Sequence, residues 1–154
     1  APGFFAWRVP RKDKVEYGPA ADFGAKKYFE KFADKMKLKH SKVYSGMIPY
    51  GLMPKVTSNR AFLCGDAAAQ TKPYSGGGVV YGLTAARIAS ATIKPDEPDM
   101  DNYEKQWRRR LASEIKQGLR IKSAYGLPNF MLNGFLKRLS KKKNLEMDKP
   151  SSIW

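Results

Sequence analysis

Two residue types that build reactive sites are almost missing: the 154 residues include one cysteine, Cys64, and one histidine, His40. A lone cysteine excludes an internal disulfide, and one histidine with one cysteine cannot supply the usual zinc ligands, so no metal site is expected. A Ser-His-Asp hydrolase would have to use His40, which lies in a lysine-rich stretch and reads as a surface residue. Cys64 reads as a small buried residue at a strand end. Acids are scarce too, 14 against 29 lysines and arginines, giving a formal charge of +15. No apolar run approaches the roughly 20 residues that cross a bilayer. Internal repeats and low-complexity tracts are absent, and no G-x-G-x-x-G cluster opens a βαβ unit, the usual receptor for a dinucleotide pyrophosphate.

What the chain does have is Gly65-Asp66-Ala67-Ala68, then Pro73-Tyr74-Ser75-Gly76-Gly77-Gly78 and an apolar helical stretch. Ala61 to Cys64 is a short apolar run between Arg60 and Gly65, the pattern of a buried strand. Asp66 would stand just past the carboxyl end of that strand, where open α/β sheets bind ligands, and could accept hydrogen bonds from polyol hydroxyls. The glycines allow a ligand close to the backbone. Val79 to Ile93 comes next as a helix rich in small residues, and its positive end would face whatever Asp66 holds. Either an anionic isoalloxazine edge or a phosphate suits such an end.

Along the rest of the chain, Phe5, Trp7 and Val9 alternate with Phe4, Ala6 and Arg8, and Val15 to Gly18 can return as the second strand of a hairpin. Asp22 can cap a helix with Ala25, Phe29, Phe32 and Met36 on one face. Ser41 to Ile48 is another strand candidate, ended by Pro49. After Pro95 to Pro98, Asp101 can cap a long helix in which Tyr103, Trp107, Leu111, Ile115 and Leu119 recur every fourth residue. Gly126-Leu127-Pro128 breaks it, and a last helix carries Met131, Leu132, Phe135, Leu136 and Leu139.

Leu63 to Asp66 and Pro73 to Gly78 resemble the second flavin motif of glutathione-reductase-like and para-hydroxybenzoate-hydroxylase-like flavoproteins. Within these, the chain most resembles the geranylgeranyl reductase family, whose archaeal members saturate the isoprenoid chains of membrane lipids. That family carries P-x-x-Y-x-W-x-F-P, then seven or eight residues and a glycine; here Pro2 to Pro10 is followed after seven residues by Gly18. Gly46 to Gly51 also resembles the family, while Phe5, Val9 and Ala69 depart from its Tyr, Phe and Gly. The resemblance implies a mixed α+β and α/β chain: the C-terminal part of a two-domain flavoprotein that binds FAD. Residues 1–58 would belong to an antiparallel substrate domain, 59–94 would be the last strand and helix of the FAD domain, 95–143 a helical region and 144–154 a loose tail. Gly65, Asp66, Pro73, Gly76, Gly77 and Gly78 would hold FAD, and Phe5, Trp7 and Pro10 would line a channel for a prenyl lipid. No catalytic acid is singled out. Without the first nucleotide motif or an initial Met, the chain is expected to be a fragment, inactive alone, whose unpaired edges favour self-association.

The basic residues concentrate between Lys105 and Lys143, where Glu114 is the only acid. They suit a solvated helix surface or an anionic membrane surface; nucleic acid is disfavoured because no nucleic-acid module is recognisable. The expected location is cytoplasmic or peripheral to the membrane. Two other readings stand beside the reductase. One is a flavin-dependent aromatic hydroxylase or halogenase; the other is a basic membrane- or nucleic-acid-binding module in which the glycine turn is only structural.

Overall fold

The structure, a computed structural model, describes residues 2–39, 42–141 and 149. Strands β1 (Ala6–Pro10) and β2 (Val15–Pro19) form an antiparallel hairpin in which Trp7 faces Gly18 and Arg8 faces Tyr17. Trp7 and Val9 are half-buried while Ala6, Arg8 and Pro10 are exposed, the alternation a one-faced strand requires. Helix α1 (Ala25–Lys35) leans on this hairpin through Phe32, whose ring centroid lies 6.3 Å from that of Tyr17.

The core lies farther along the chain. Helix α2 (Val79–Thr92) turns Tyr81, Ala85 and Ala89 toward helix α3 (Met100–Trp107), which contributes Tyr103 and Trp107. Ala85, Tyr103 and Trp107 are fully buried. A single wide turn of i→i+5 type, Arg108–Ala112, joins α3 to α4 (Ser113–Ser123) without breaking the rod. That turn has a physical use. In a regular helix of 3.6 residues per turn, a strict four-residue repeat drifts by about 40° at each step. The wider turn absorbs part of the drift, so Tyr103, Trp107, Leu111 and Ile115 all stay in one core. Helix α5 (Asn129–Ser140) begins after the break near Gly126.

Partly buried polar groups fix the segment that leads into the site. The Arg108 guanidinium donates to the carbonyls of Met53 and Pro54 at 2.8 and 2.6 Å and to Glu104, while the Glu104 carboxylate accepts the Val56 N–H at 3.0 Å. Burial pushes the Glu104 carboxyl up, but the Val56 N–H and the Arg108 guanidinium outweigh it and hold the group below its usual range.

Four expectations are corrected. Ala61 to Cys64 is not a buried strand: Phe62 and Leu63 are exposed, and pairing is limited to an isolated antiparallel bridge between Thr57 and Phe62. A central strand needs neighbours on both sides, and the described residues offer none. Residues 42–48 are irregular and exposed, so the strand expected there is absent, and Ser41 lies outside the described residues. Asp22 does not cap α1, which starts from Gly24 without a side-chain cap. Asp99, not Asp101, caps α3, its carboxylate accepting the Asn102 N–H at 2.9 Å. His40, most of the tail from residue 144, and the side chains of Phe135, Leu136 and Leu139 also fall outside the description.

Candidate functional site

From Cys64 the chain enters one turn of 3-10 helix, Gly65–Ala68. Gly65 can take φ +65 because it has no Cβ, and Ala69 closes the turn at φ +51, a conformation that costs an L-residue roughly 1–2 kcal/mol. Buried side chains hold this shape. Gln70, with no exposed surface, accepts the Gly65 N–H at 2.7 Å and donates to the Tyr103 hydroxyl at 3.3 Å. Tyr103 in turn donates to the Leu63 carbonyl at 2.9 Å, and burial pushes its phenol up to about 12. The turn is thereby tied to the centre of the core.

Gly65, Asp66, Gly78, Val79, Gly82 and Leu83 line an open cleft of about 370 Å³. Helix α2 starts at its edge, and its cap, Gly78, offers no side-chain oxygen to its own N–H groups. A Cβ on Gly78 would sit 2.8 Å from Asp66 Oδ1, so the carboxylate lies directly against the helix start. A Cβ on Gly82 would meet the Gly65 backbone at 3.6 Å, an ordinary contact. The result is an acceptor carboxylate beside a positive helix end, floored by backbone and walled by the exposed Val79 and Leu83.

The other residues singled out in the glycine turn serve differently. Pro73 is buried against Gly118 of α4, where an added Cβ would stand 2.7 Å from Pro73 Cδ. The Tyr74 carbonyl accepts from the Tyr125 hydroxyl at 3.0 Å, and the Thr71 hydroxyl donates to the Pro49 carbonyl. Gly76 faces Ile48 and Phe4, whose nearest atoms would lie 2.9 and 3.9 Å from an added Cβ, while Gly77 faces the Lys72 side chain. Gly65, Asp66 and Gly78 therefore line the cleft; Pro73, Gly76 and Gly77 shape the loop behind it.

The aromatic strip reaches the same loop from the other side. Trp7 lies across Gly18, where a Cβ would come within 2.4 Å of the indole. Phe5 meets Trp7 edge-on at 6.5 Å, and Phe4 lies 6.3 Å from Phe5. Phe4 is the ring that approaches Gly76, so the strip begins at the glycine turn and runs out along the hairpin. Pro10 stands exposed at the far end of β1, paired with Val15.

Sequence reasoning missed Lys122. Its side chain is 9% exposed, and its ammonium donates to Asp22 Oδ1 at 2.8 Å and to the Gly3 carbonyl at 2.7 Å. It also sits 3.7 Å above the Phe4 ring centroid and 4.6 Å from that of Tyr50. The Tyr50 hydroxyl donates to the same Asp22 oxygen at 3.0 Å. Hydrogen bonding from Lys122 holds the Asp22 carboxyl below its ordinary value, and burial together with the Asp22 hydrogen bond raises the Tyr50 phenol. A signal did exist: Lys122 stands four residues after Gly118, on the buried side of α4.

No protein-family model matches the chain. An uncharacterized protein of Methanocaldococcus jannaschii is 30% identical over 171 aligned residues, covering 97% of this chain and 44% of the relative. A digeranylgeranylglycerophospholipid reductase of Methanococcoides burtonii is 30% identical over 81% of this chain and 35% of that enzyme. The chain is homologous to part of the geranylgeranyl reductases. A solved structure of a geranylgeranyl bacteriochlorophyll reductase-like protein from Thermoplasma acidophilum shares the fold, with a TM-score of 0.76 over 99% of this chain and 44% of that one, at 18% identity. The chain thus spans less than half the length of these relatives. The relatives named as reductases are enzymes, and the mixed fold of antiparallel hairpin and helices matches the geranylgeranyl reductase-like architecture.

Proposed function

We propose that this chain is the part of a flavin-dependent prenyl reductase that holds the ring end of FAD and guides an isoprenoid chain to it. The observation carrying this reading is the Asp66 carboxylate packed against Gly78 at the start of α2, within a homologue of geranylgeranyl reductases. The residues suit the cofactor: the missing side chain at Gly78 leaves room for the Asp66 carboxylate, whose Oδ1 lies 2.8 Å from where a Cβ would stand, and that carboxylate is exposed to accept from polyol hydroxyls. When bound and reduced, FAD supplies the hydride for an isolated double bond, whose other carbon takes a proton.

The protein's share is placement. An isolated prenyl double bond has no carbonyl to polarise, so alignment and exclusion of water carry much of the rate. Asp66 would anchor the cofactor's hydroxylated chain, and the start of α2 would favour negative charge at the ring edge. Phe5 and Trp7, with Pro10 at the outer end, would wall the substrate path. The exposed Lys105, Arg109, Arg110, Lys116 and Arg120 suit an anionic lipid surface, where each basic residue contributes about 1 kcal/mol. No helix among the described residues is long and apolar enough to cross a membrane.

Flavin absorbance of the purified full-length protein, with and without a Gly78→Ala change, tests the reading. The wild type should retain FAD, and the added methyl, which would displace the Asp66 carboxylate, should weaken binding by about tenfold or more, whereas Gly126→Ala, whose methyl would meet open space away from the cleft, should not. A full-length protein without flavin, or one whose flavin is indifferent to Gly78→Ala and Asp66→Ala, would sink it.

A further inference from the structure

Lys122 has a set of partners that a solvated lysine does not need. Its ammonium donates to the Gly3 carbonyl and the Asp22 carboxylate and lies against the rings of Phe4 and Tyr50, residues 72 or more positions earlier in the chain. Removing an ammonium from water is unfavourable unless an opposite charge and hydrogen-bond acceptors replace the solvent, and both are present. The two ring faces complete the enclosure by attracting the cation to their π-clouds.

Phe4 gives this enclosure a direction. The Lys122 ammonium lies over the face of the Phe4 ring, while Cε1 of that ring stands 3.9 Å from the Cβ position at Gly76. Phe5 and Trp7 continue the row at 6.3 and 6.5 Å, and Phe5 is 42% exposed. A prenyl chain has no polar handle, so a wall of rings orients it only as well as those rings are themselves held.

We propose that Lys122 is a positioning residue for the prenyl substrate: by clamping Phe4 against the glycine turn, it fixes the inner end of the Phe4, Phe5 and Trp7 wall. This rests on the reductase reading above. Lys122 touches neither substrate nor cofactor in this role; it acts through the ring it holds.

The test uses full-length, FAD-loaded protein with geranylgeranyl diphosphate as the substrate. Lys122→Met keeps the stem and removes the charge, and it should raise KM by about tenfold while leaving kcat within about twofold and flavin occupancy unchanged. Lys122→Arg keeps a cation over the rings and should return KM to within about threefold of wild type. Phe4→Leu provides a second route that leaves the ion pair intact, and it should raise KM in the same direction. A wild-type KM in Lys122→Met, or flavin lost in proportion to activity, overturns the positioning role. Should Lys122→Met fail to fold, an unchanged KM in Phe4→Leu overturns it and a raised KM supports it. A wild-type protein without flavin or alkene reduction overturns the functional reading itself, and the substrate role of Lys122 with it.

Discussion

Between Leu63 and Ser123, side chains from α2, α3 and α4 close on one another: Tyr81, Ala85, Tyr103, Trp107 and Ile115 are each at most 1% exposed. Between Pro2 and Tyr50, Ala33 is the one buried hydrophobic side chain among the described residues, and it keeps 6% of its surface exposed. The first region is held by apolar burial, which is non-directional and tolerant of small shifts. The second is attached to it through a buried ammonium, a carboxylate and ring faces, whose energies depend on geometry and charge. A site built where the two meet inherits a rigid floor from one and an adjustable wall from the other.

The sharpest way to break this contrast is to empty the rigid half. Trp107→Ala should cost about 3–5 kcal/mol, read as a lowered urea midpoint, and should carry the cleft with it because Tyr103 and Gln70 brace the Gly65 turn from the same core. A variant that melts like wild type would show that the core stripe is not what holds the chain.

The next change attacks the attachment alone. Asp22→Asn leaves the Lys122 charge without its counterion and should cost about 2 kcal/mol at neutral pH, at the low end for a broken buried pair because Asp22 is 32% exposed. Trypsin should then cut faster at Arg11 to Lys14, with the α3 and α4 region little changed. The pH dependence has a definite sign. The folded Asp22 carboxyl lies below its ordinary 3.8, so its stabilisation is fully present above that value and disappears as pH falls through the lowered folded value. The stability gap between wild type and Asp22→Asn should therefore be flat at neutral pH and close only in strong acid. A gap that closes near neutrality would assign the effect to another group.

The smallest change improves the floor. Ala69→Gly removes the left-handed strain at φ +51 and should stabilise by about 0.5 kcal/mol, since the loss of a buried methyl and the added freedom of the unfolded chain offset part of the gain. Thermal melts of the two proteins side by side would measure it, and a destabilised Ala69→Gly would mean that the methyl's packing outweighs the strain.

The helical core was legible in the sequence because it obeys a repeat: Tyr103, Trp107, Leu111 and Ile115 stand four residues apart and share one core. The hairpin was legible from alternation around Trp7, and the glycine turn from its composition. Features that periodicity does not carry were missed. Asp22 has the residue type and position of a helix cap, yet its partners lie 28 and 100 residues away, and no local rule names Tyr50 or Lys122. Ala61 to Cys64 has the composition of a buried strand, but burial depends on neighbours that composition cannot supply. Within the candidate site, Gly65, Asp66 and Gly78 were found together because they flank one short loop; Pro73, Gly76 and Gly77 belong to that loop's support, a distinction visible only in what a Cβ at each glycine would strike.

The wide turn at Arg108–Ala112 sets the phase of everything beyond it. It amounts to one residue more than a regular helix would hold, so deleting one residue there can be absorbed by closing the turn, leaving both flanks facing as before. The same deletion within α4, ahead of Gly118, would rotate the remainder of the helix by about 100°. Gly118 would swing away from Pro73, and Lys122 would leave the rings it holds. A single irregular turn thus makes this rod tolerant of length change at one place and sensitive to it farther along, and it is what keeps a core residue such as Tyr103 and a clamp such as Lys122 in rotational agreement.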